Sequence, residues 1–117
     1  INAHLTGTKG DHIEMHTWSE MFPDFKPYIS STKSIIGHTL GASASIESVA
    51  TILQMKHNFL HGHLNINPLH PEITKIWPLD RIPLASQKLD MTGYALKASF
   101  GFGDVNNVIL FKTMNHE

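Results

Sequence analysis

The sequence predicts an α/β domain with a mixed sheet, a buried central helix and a C-terminal β-hairpin. Three observations lead there. Residues 42–57 place Ile46, Val49 and Leu53 at i, i+3 and i+7, with Ala50 and Ile52 widening the stripe, which is the period of a helix face. Residues 93–99 and 107–112 are two strand-like runs joined by the glycine-rich, aromatic segment 100–106, the pattern of a hairpin. The order strand, helix, helix, strand, strand then gives helices layered on a mixed sheet.

The helix over 42–57 is the element the rest serves. Its far side carries Ala42, Ser45 and Ser48, small residues that let another backbone approach, so packing is expected on more than one face. Glu47 is the only charge between Gly37 and Lys56. An unpaired acid on such a helix costs about 3–5 kcal/mol, by analogy with broken buried pairs, and Lys33 is the nearest partner in sequence.

Ile1, Asn2 and Ala3 lead straight into His4 with no start methionine or leader, and the expectation is a chain cut from something longer. His4 falls at a strand-to-loop boundary. The polar loop over 6–11 ends on Asp11, which with Glu14 three residues on is expected to form a capping box for a helix over 12–22, stopped by Pro23. Residues 58–84 are proline-rich with scattered apolar residues, and an extended surface excursion is expected there.

Composition narrows the function classes. With 117 residues, 41% hydrophobic and 16% charged, the chain suits one domain with a modest core. The net charge of −1 gives no basic excess for nucleic acid and no polybasic run for an anionic membrane. No apolar run approaches the roughly 18–20 residues that span a bilayer, so a soluble, cytoplasmic protein is expected. Cysteine is absent, which removes disulfides, thiolate metal sites and a cysteine nucleophile from this chain. Ser31, Thr32 and Ser99 remain as nucleophiles, and none sits in a recognisable elbow. His12, His16, His57, His61, His63, His70 and His116 read as surface or hydrogen-bonded residues. Neither the His12, His16 pair nor the His61, His63 pair forms the His-Glu-x-x-His pattern, so no metal site is assigned.

Three separated motifs, Asn2 to Thr8 around His4, Ser31 to Glu47 around Lys33 and His38, and Ser99 to Asn106 with its alternating Phe and Gly, together resemble those of the β-ketoacyl synthases, condensing enzymes of the thiolase-like superfamily. Asn2, Ala3, His4, Thr6 and Thr8 are similar to the family's Asn-Ala-His-Gly-Thr-x-Thr. Ser30 or Ser31 through Lys33, Gly37, His38, Gly41 and Ala42, with Glu47 nine residues past the histidine, resemble its Ser-Ser-Thr-Lys-Ser-x-x-Gly-His-x-x-Gly-Ala. Ser99, Phe100, Gly101, Phe102, Gly103 and Asn106 resemble its Ser-Phe-Gly-Phe-Gly-Gly-x-Asn, and Asn65 and Pro68 its connecting loop.

The resemblance implies that residues 1–117 form part of the C-terminal half of an αβαβα thiolase-like fold, with the cysteine-bearing N-terminal half absent from this chain. It implies decarboxylative Claisen condensation of malonyl on an acyl carrier protein with an acyl thioester, in fatty-acid or polyketide synthesis. His4 and His38 would converge on the enolate oxygen, about 3 Å from it, as in an oxyanion hole. Lys33, paired with Glu47, would order the surroundings of His38. Thr6 and Thr8 would bind the phosphopantetheine arm, and Phe100, Gly101, Phe102 and Gly103 would form a gating turn. No resident cofactor is implied. The partners implied are an acyl carrier protein, the N-terminal half and a homo- or heterodimer mate. Leu5 replaces the family's glycine after the first histidine, the loop to Asp11 is one residue shorter, Asp104 replaces the second glycine of the turn, and Val105 stands where threonine is frequent. The alternative is a noncatalytic, chain-length-factor-like or split-gene subunit that keeps the fold.

Overall fold

The computed structural model describes residues 1–114, so His116 lies outside the described residues. The elements are α1 (Gly10–Met21), α2 (Lys33–Ile36), a 3-10 turn (Leu40–Ala42), α3 (Ser43–His57), β1 (Phe59–Leu60), α4 (Pro71–Ile76), a second 3-10 turn (Leu79–Arg81), β2 (Gln87–Lys88), β3 (Tyr94–Gly101) and β4 (Val105–Lys112).

The hairpin forms as the sequence predicts, β3 and β4 pairing antiparallel from Tyr94 opposite Lys112 to Gly101 opposite Val105. On the other edge of β3, Asn2 bridges Lys97 in parallel, and beyond it Asn2 bridges Ser30, also in parallel. Hydrogen bonds from Asn2 N to Leu96 O and from Ala98 N to Asn2 O, both within 3.0 Å, tie the first residues to β3. The sheet is therefore mixed, and the segment that carries His4 runs through its middle. β1 and β2 make a separate antiparallel pair.

Side chains alternate across a pleated sheet, and that alternation sorts the interior into two chemistries. Ala3, Ile29 and Ala98 point to one side, where Met15 and Trp18 of α1 close with Trp77 and Ile82 into the apolar core. Asn2, Ser30 and Lys97, in register with one another, belong to the other side, and this side meets α3. The face of α3 turned inward is accordingly polar: Ser43, Glu47, Thr51 and Gln54 are buried, with Met55. Ile46, Val49, Ile52 and Leu53 point outward, between 42% and 56% exposed. The stripe read from the sequence as a packing face is real, but its cover is not among the described elements of this chain.

Two local expectations are corrected. Asp11 does not cap α1: it lies within the first turn, Lys9 precedes the helix, and the Asp11 carboxylate instead accepts from the N–H groups of Thr6 and Gly7, both at 2.9 Å. The loop is too tight to place Asp11 ahead of the helix, so its acceptors serve the loop. Residues 58–84 run along the surface only in part: 64–81 are exposed or half-buried apart from Trp77, while both ends of the stretch turn inside. The stretch buries Leu60, His61, His63, Trp77 and Ile82, because a few large side chains anchor an otherwise irregular path. His70 caps α4 by accepting from Glu72 N, with Pro71 opening the helix.

Candidate active site

His4 leaves the sheet at the end of its central run, and the loop beyond it is held from α1. The buried Glu14 carboxylate accepts from the N–H groups of His4 at 2.8 Å and Leu5 at 2.9 Å, and from Trp18 Nε1 at 3.1 Å. Burial pushes the Glu14 carboxyl up, against the opposing pull of these donors.

His38 sits in the turn that feeds α3. Leu40 N donates to His38 Nδ1 at 3.1 Å, and Ser43 Oγ lies 3.1 Å from the same nitrogen. A backbone N–H can only donate, so Nδ1 is an acceptor and the proton of the neutral ring belongs on Nε2. Leu40 reaches this geometry at φ +52°, in the left-handed region that a leucine rarely adopts. The turn thus holds one tautomer of His38 at the expense of backbone comfort.

The two imidazoles meet edge to face, with centroids 5.5 Å apart, and the Phe100 ring lies 5.3 Å from that of His4. Burial, reinforced by the Lys33 and Lys97 ammoniums and partly offset by Glu47, lowers the His4 pKa to about 4. His4 is neutral at pH 7. Behind the rings, Lys33 Nζ lies 2.7 Å from Glu47 Oε1, as expected, and Lys97 Nζ lies 2.6 Å from Glu47 Oε2.

Thr6 and Thr8 meet through their hydroxyls at 2.9 Å and, with His4, Trp18 and Phe100, line a cleft of about 570 Å³ between α1 and the hairpin. Gly101 ends β3, Phe102 stands 98% exposed at the tip, and Gly103 and Asp104 both take positive φ, +78° and +59°. Aspartate is among the few residues that tolerate this conformation, which explains how Asp104 stands where the family motif has glycine. The structure brings His4, His38, Lys33, Glu47, Thr6, Thr8 and Phe100 into one neighbourhood and leaves Phe102 out in solvent. Among the described residues, no group of three or more His, Asp and Glu is placed to hold a metal ion.

Sequence reasoning missed Glu14 as the clamp of the His4 loop, and it missed Lys97. A lysine between Leu96 and Ala98 in a strand facing the helix of a lone acid was the available signal. It also missed the Asn2 side chain, which donates to Thr32 Oγ1 at 2.8 Å and Thr51 Oγ1 at 2.9 Å and so joins the loop before α2 to α3.

A family model described as beta-ketoacyl synthase, C-terminal domain, matches residues 1–67, more than half of the chain. The chain belongs to the β-ketoacyl synthase family. 3-Oxoacyl-[acyl-carrier-protein] synthase 1 of Buchnera aphidicola subsp. Schizaphis graminum is 38% identical over 114 residues, covering 96% of this chain and 27% of that protein. The chloroplastic 3-oxoacyl-[acyl-carrier-protein] synthase II of Arabidopsis thaliana is 38% identical over 116 residues, covering 95% of this chain and 20% of that protein. Among solved structures, the ishigamide ketosynthase/chain length factor superposes with a TM-score of 0.86 at 28% identity, covering 97% of this chain and 27% of that one. The fold is therefore that of a thiolase-like ketosynthase C-terminal domain. The chain spans about a quarter of the length of the curated relatives it matches. No helix among the described residues is long and apolar enough to cross a membrane.

Proposed function

We propose that this ketosynthase domain supplies the two-histidine half of a condensing site, completed by a cysteine-bearing N-terminal half that holds the acyl group as a thioester. The observation that carries this reading is the meeting of His4 and His38 at 5.5 Å, with His4 held neutral. A neutral imidazole offers a ring N–H without adding a full charge, which suits an oxygen that becomes negative only during reaction.

In the proposed reaction, the bond between the malonyl carboxylate and its α-carbon breaks and CO2 leaves. The electron pair passes into an enolate whose oxygen accepts from the two rings. The α-carbon then attacks the acyl thioester carbonyl, a carbon–carbon bond forms, and the cysteine leaves as thiolate. The chain's own part is to donate, orient and exclude water. Glu47 with Lys33 orders the region behind His38. Thr6 and Thr8, on the wall of the cleft, would hydrogen-bond the phosphopantetheine arm of an acyl carrier protein, and the turn from Phe100 to Gly103 would gate the acyl side. No resident cofactor enters the proposed reaction.

The test is condensation of acyl and malonyl groups on carrier protein by the assembled enzyme and by its His4→Ala and His38→Ala variants. Each loss is expected to lower the rate about 10²–10³-fold, the usual effect of removing one oxyanion donor. Undiminished turnover in either folded variant would sink the assignment of that residue. The likeness to a ketosynthase/chain length factor structure supports a second reading, a noncatalytic subunit that keeps the fold and a dimer surface. Paired rings beside a buried cluster favour the first, since a purely structural subunit has no need of converging donors. Failure of the assembled wild-type enzyme to decarboxylate malonyl carrier protein would favour the second.

A further inference from the structure

Lys97 is fully buried, in the middle of β3, and its ammonium has two partners. One is Glu47 Oε2 at 2.6 Å, and the other is the carbonyl of Ala98. Glu47 is itself fully buried and already holds Lys33 at 2.7 Å through its other oxygen. Two ammoniums thus face one carboxylate, which leaves one positive charge in excess inside the protein. Asn2, in register with Lys97, lies two residues before His4, and residues two apart along a strand share a face at ~7 Å.

We propose that Lys97 is a positioning residue for the paired-histidine site: a built-in second cation beside the Lys33–Glu47 pair that biases His4 toward the neutral, hydrogen-bond-donating form. The proposal rests on the two-histidine reading for its catalytic meaning, and on the cluster's geometry for the rest. A lysine closed in by a carboxylate and a carbonyl costs desolvation, which lowers the Lys97 pKa. The carboxylate 2.6 Å away opposes that shift and favours the charged amine. The charged and titratable groups around His4 come from every neighbouring element: Lys33 on α2, His38 in the turn before α3, Glu47 on α3 and Lys97 on β3, with Glu14 of α1 on its backbone N–H. Lys33 and Lys97 both disfavour imidazolium, and Glu47 favours it. With Lys97 removed, Glu47 opposes Lys33 alone, and one of the two cations that discourage protonation of His4 is gone, while burial still acts in the same direction.

The experiment follows the His4 ring through a pH series by NMR with carbon-13-labelled histidine, in the protein as it purifies, complexes included. In the wild type the ring should titrate near 4. In Lys97→Met it should move up from there while burial and Lys33 still hold it below 6.5, whereas Lys97→Arg, which keeps the charge, should stay near the wild type. A folded Lys97→Met with an unmoved His4 titration overturns the proposal. If Lys97→Met does not fold, the wild type still decides: Lys97 Nζ, followed by nitrogen-15, must be charged at the pH where His4 titrates, and a neutral amine there overturns the proposal equally. The titration is independent of turnover. Loss of the condensation reading alone would leave the His4 shift in place, and loss of the shift alone would leave that reading standing.

Discussion

Glu14 holds the backbone of His4: its Oε1 accepts the His4 N–H at 2.8 Å, and its Oε2 takes the N–H of Leu5 at 2.9 Å. A side chain on α1 thereby fixes where the first candidate donor leaves the sheet. Hydrogen bonds to a charged group contribute about 1.5–3 kcal/mol each, and the orphaned donors here are half-buried at least. Glu14→Ala is expected to lower stability by about 3 kcal/mol or more, read by urea unfolding. Glu14→Gln, with one acceptor oxygen in place of two, should fall between. An unfolding midpoint unchanged in Glu14→Ala would show that the loop holds itself.

Glu47 is the common counter-charge of two buried lysines. Its conversion to Gln leaves two ammoniums facing no anion, and breaking a buried pair from one side costs about 3–5 kcal/mol. Thermal melting of Glu47→Gln should show that loss directly. A melting temperature equal to the wild type would mean that the buried cluster contributes no net stability.

The contrast between what was legible and what was not follows from the range of the forces involved. Local patterns carried the hairpin and the extent of α3: the strand runs flanking Gly101 and Gly103, and the helical recurrence of Ile46, Val49 and Leu53. The Lys33–Glu47 pair was legible because a lone acid on a helix needs a nearby cation. Which face of α3 turns to the sheet was not legible, since periodicity tells which residues share a face and nothing about what covers it. Asn2, Ser30 and Lys97 make that cover polar, and they come from three distant segments. The burial of His61 and His63 was hidden for the same reason. His61 Nε2 lies 3.3 Å from Thr32 Oγ1, a contact that only the folded topology creates.

Those buried histidines predict acid lability. Burial lowers the His63 pKa from 6.5 to about 4. A histidine depressed in the folded state contributes stability that is present above its unfolded pKa and is lost as pH falls toward the folded value. The window is therefore pH 6.5 down to about 4. For a group as buried as His63 the loss across it is about 3 kcal/mol, and His4, more exposed, adds in the same direction. Urea unfolding at stepped pH should show the decline, and His63→Gln should flatten it. An equally steep decline in that variant would assign the lability elsewhere.

The outward face of α3 makes the last prediction. Ile46, Val49, Ile52 and Leu53 are 42%, 56%, 47% and 46% exposed on one side of a helix whose other side is fixed to the sheet by Glu47 and Thr51. On β4, Val105, Val108 and Leu110 are exposed as well, at 62%, 50% and 59%. Contiguous apolar surface of more than a few hundred Å² marks an interaction site, and four large aliphatic residues within two helical turns supply such a surface. The proposed occupant is the cysteine-bearing half, because the acyl group must be brought to the His4 and His38 rings from outside this chain, which has no cysteine. Purified alone, the 117-residue chain should elute as an oligomer or aggregate and form no carbon–carbon bonds from acyl and malonyl carrier-protein substrates. Val49→Lys with Leu53→Lys, both at solvent-facing positions, should reduce that self-association while leaving the helix intact by circular dichroism. Adding the cysteine-bearing half should give the wild type a discrete assembly with condensing activity, and the double variant should fail to assemble. A well-behaved wild-type monomer that condenses by itself would overturn both the surface assignment and the need for a second half.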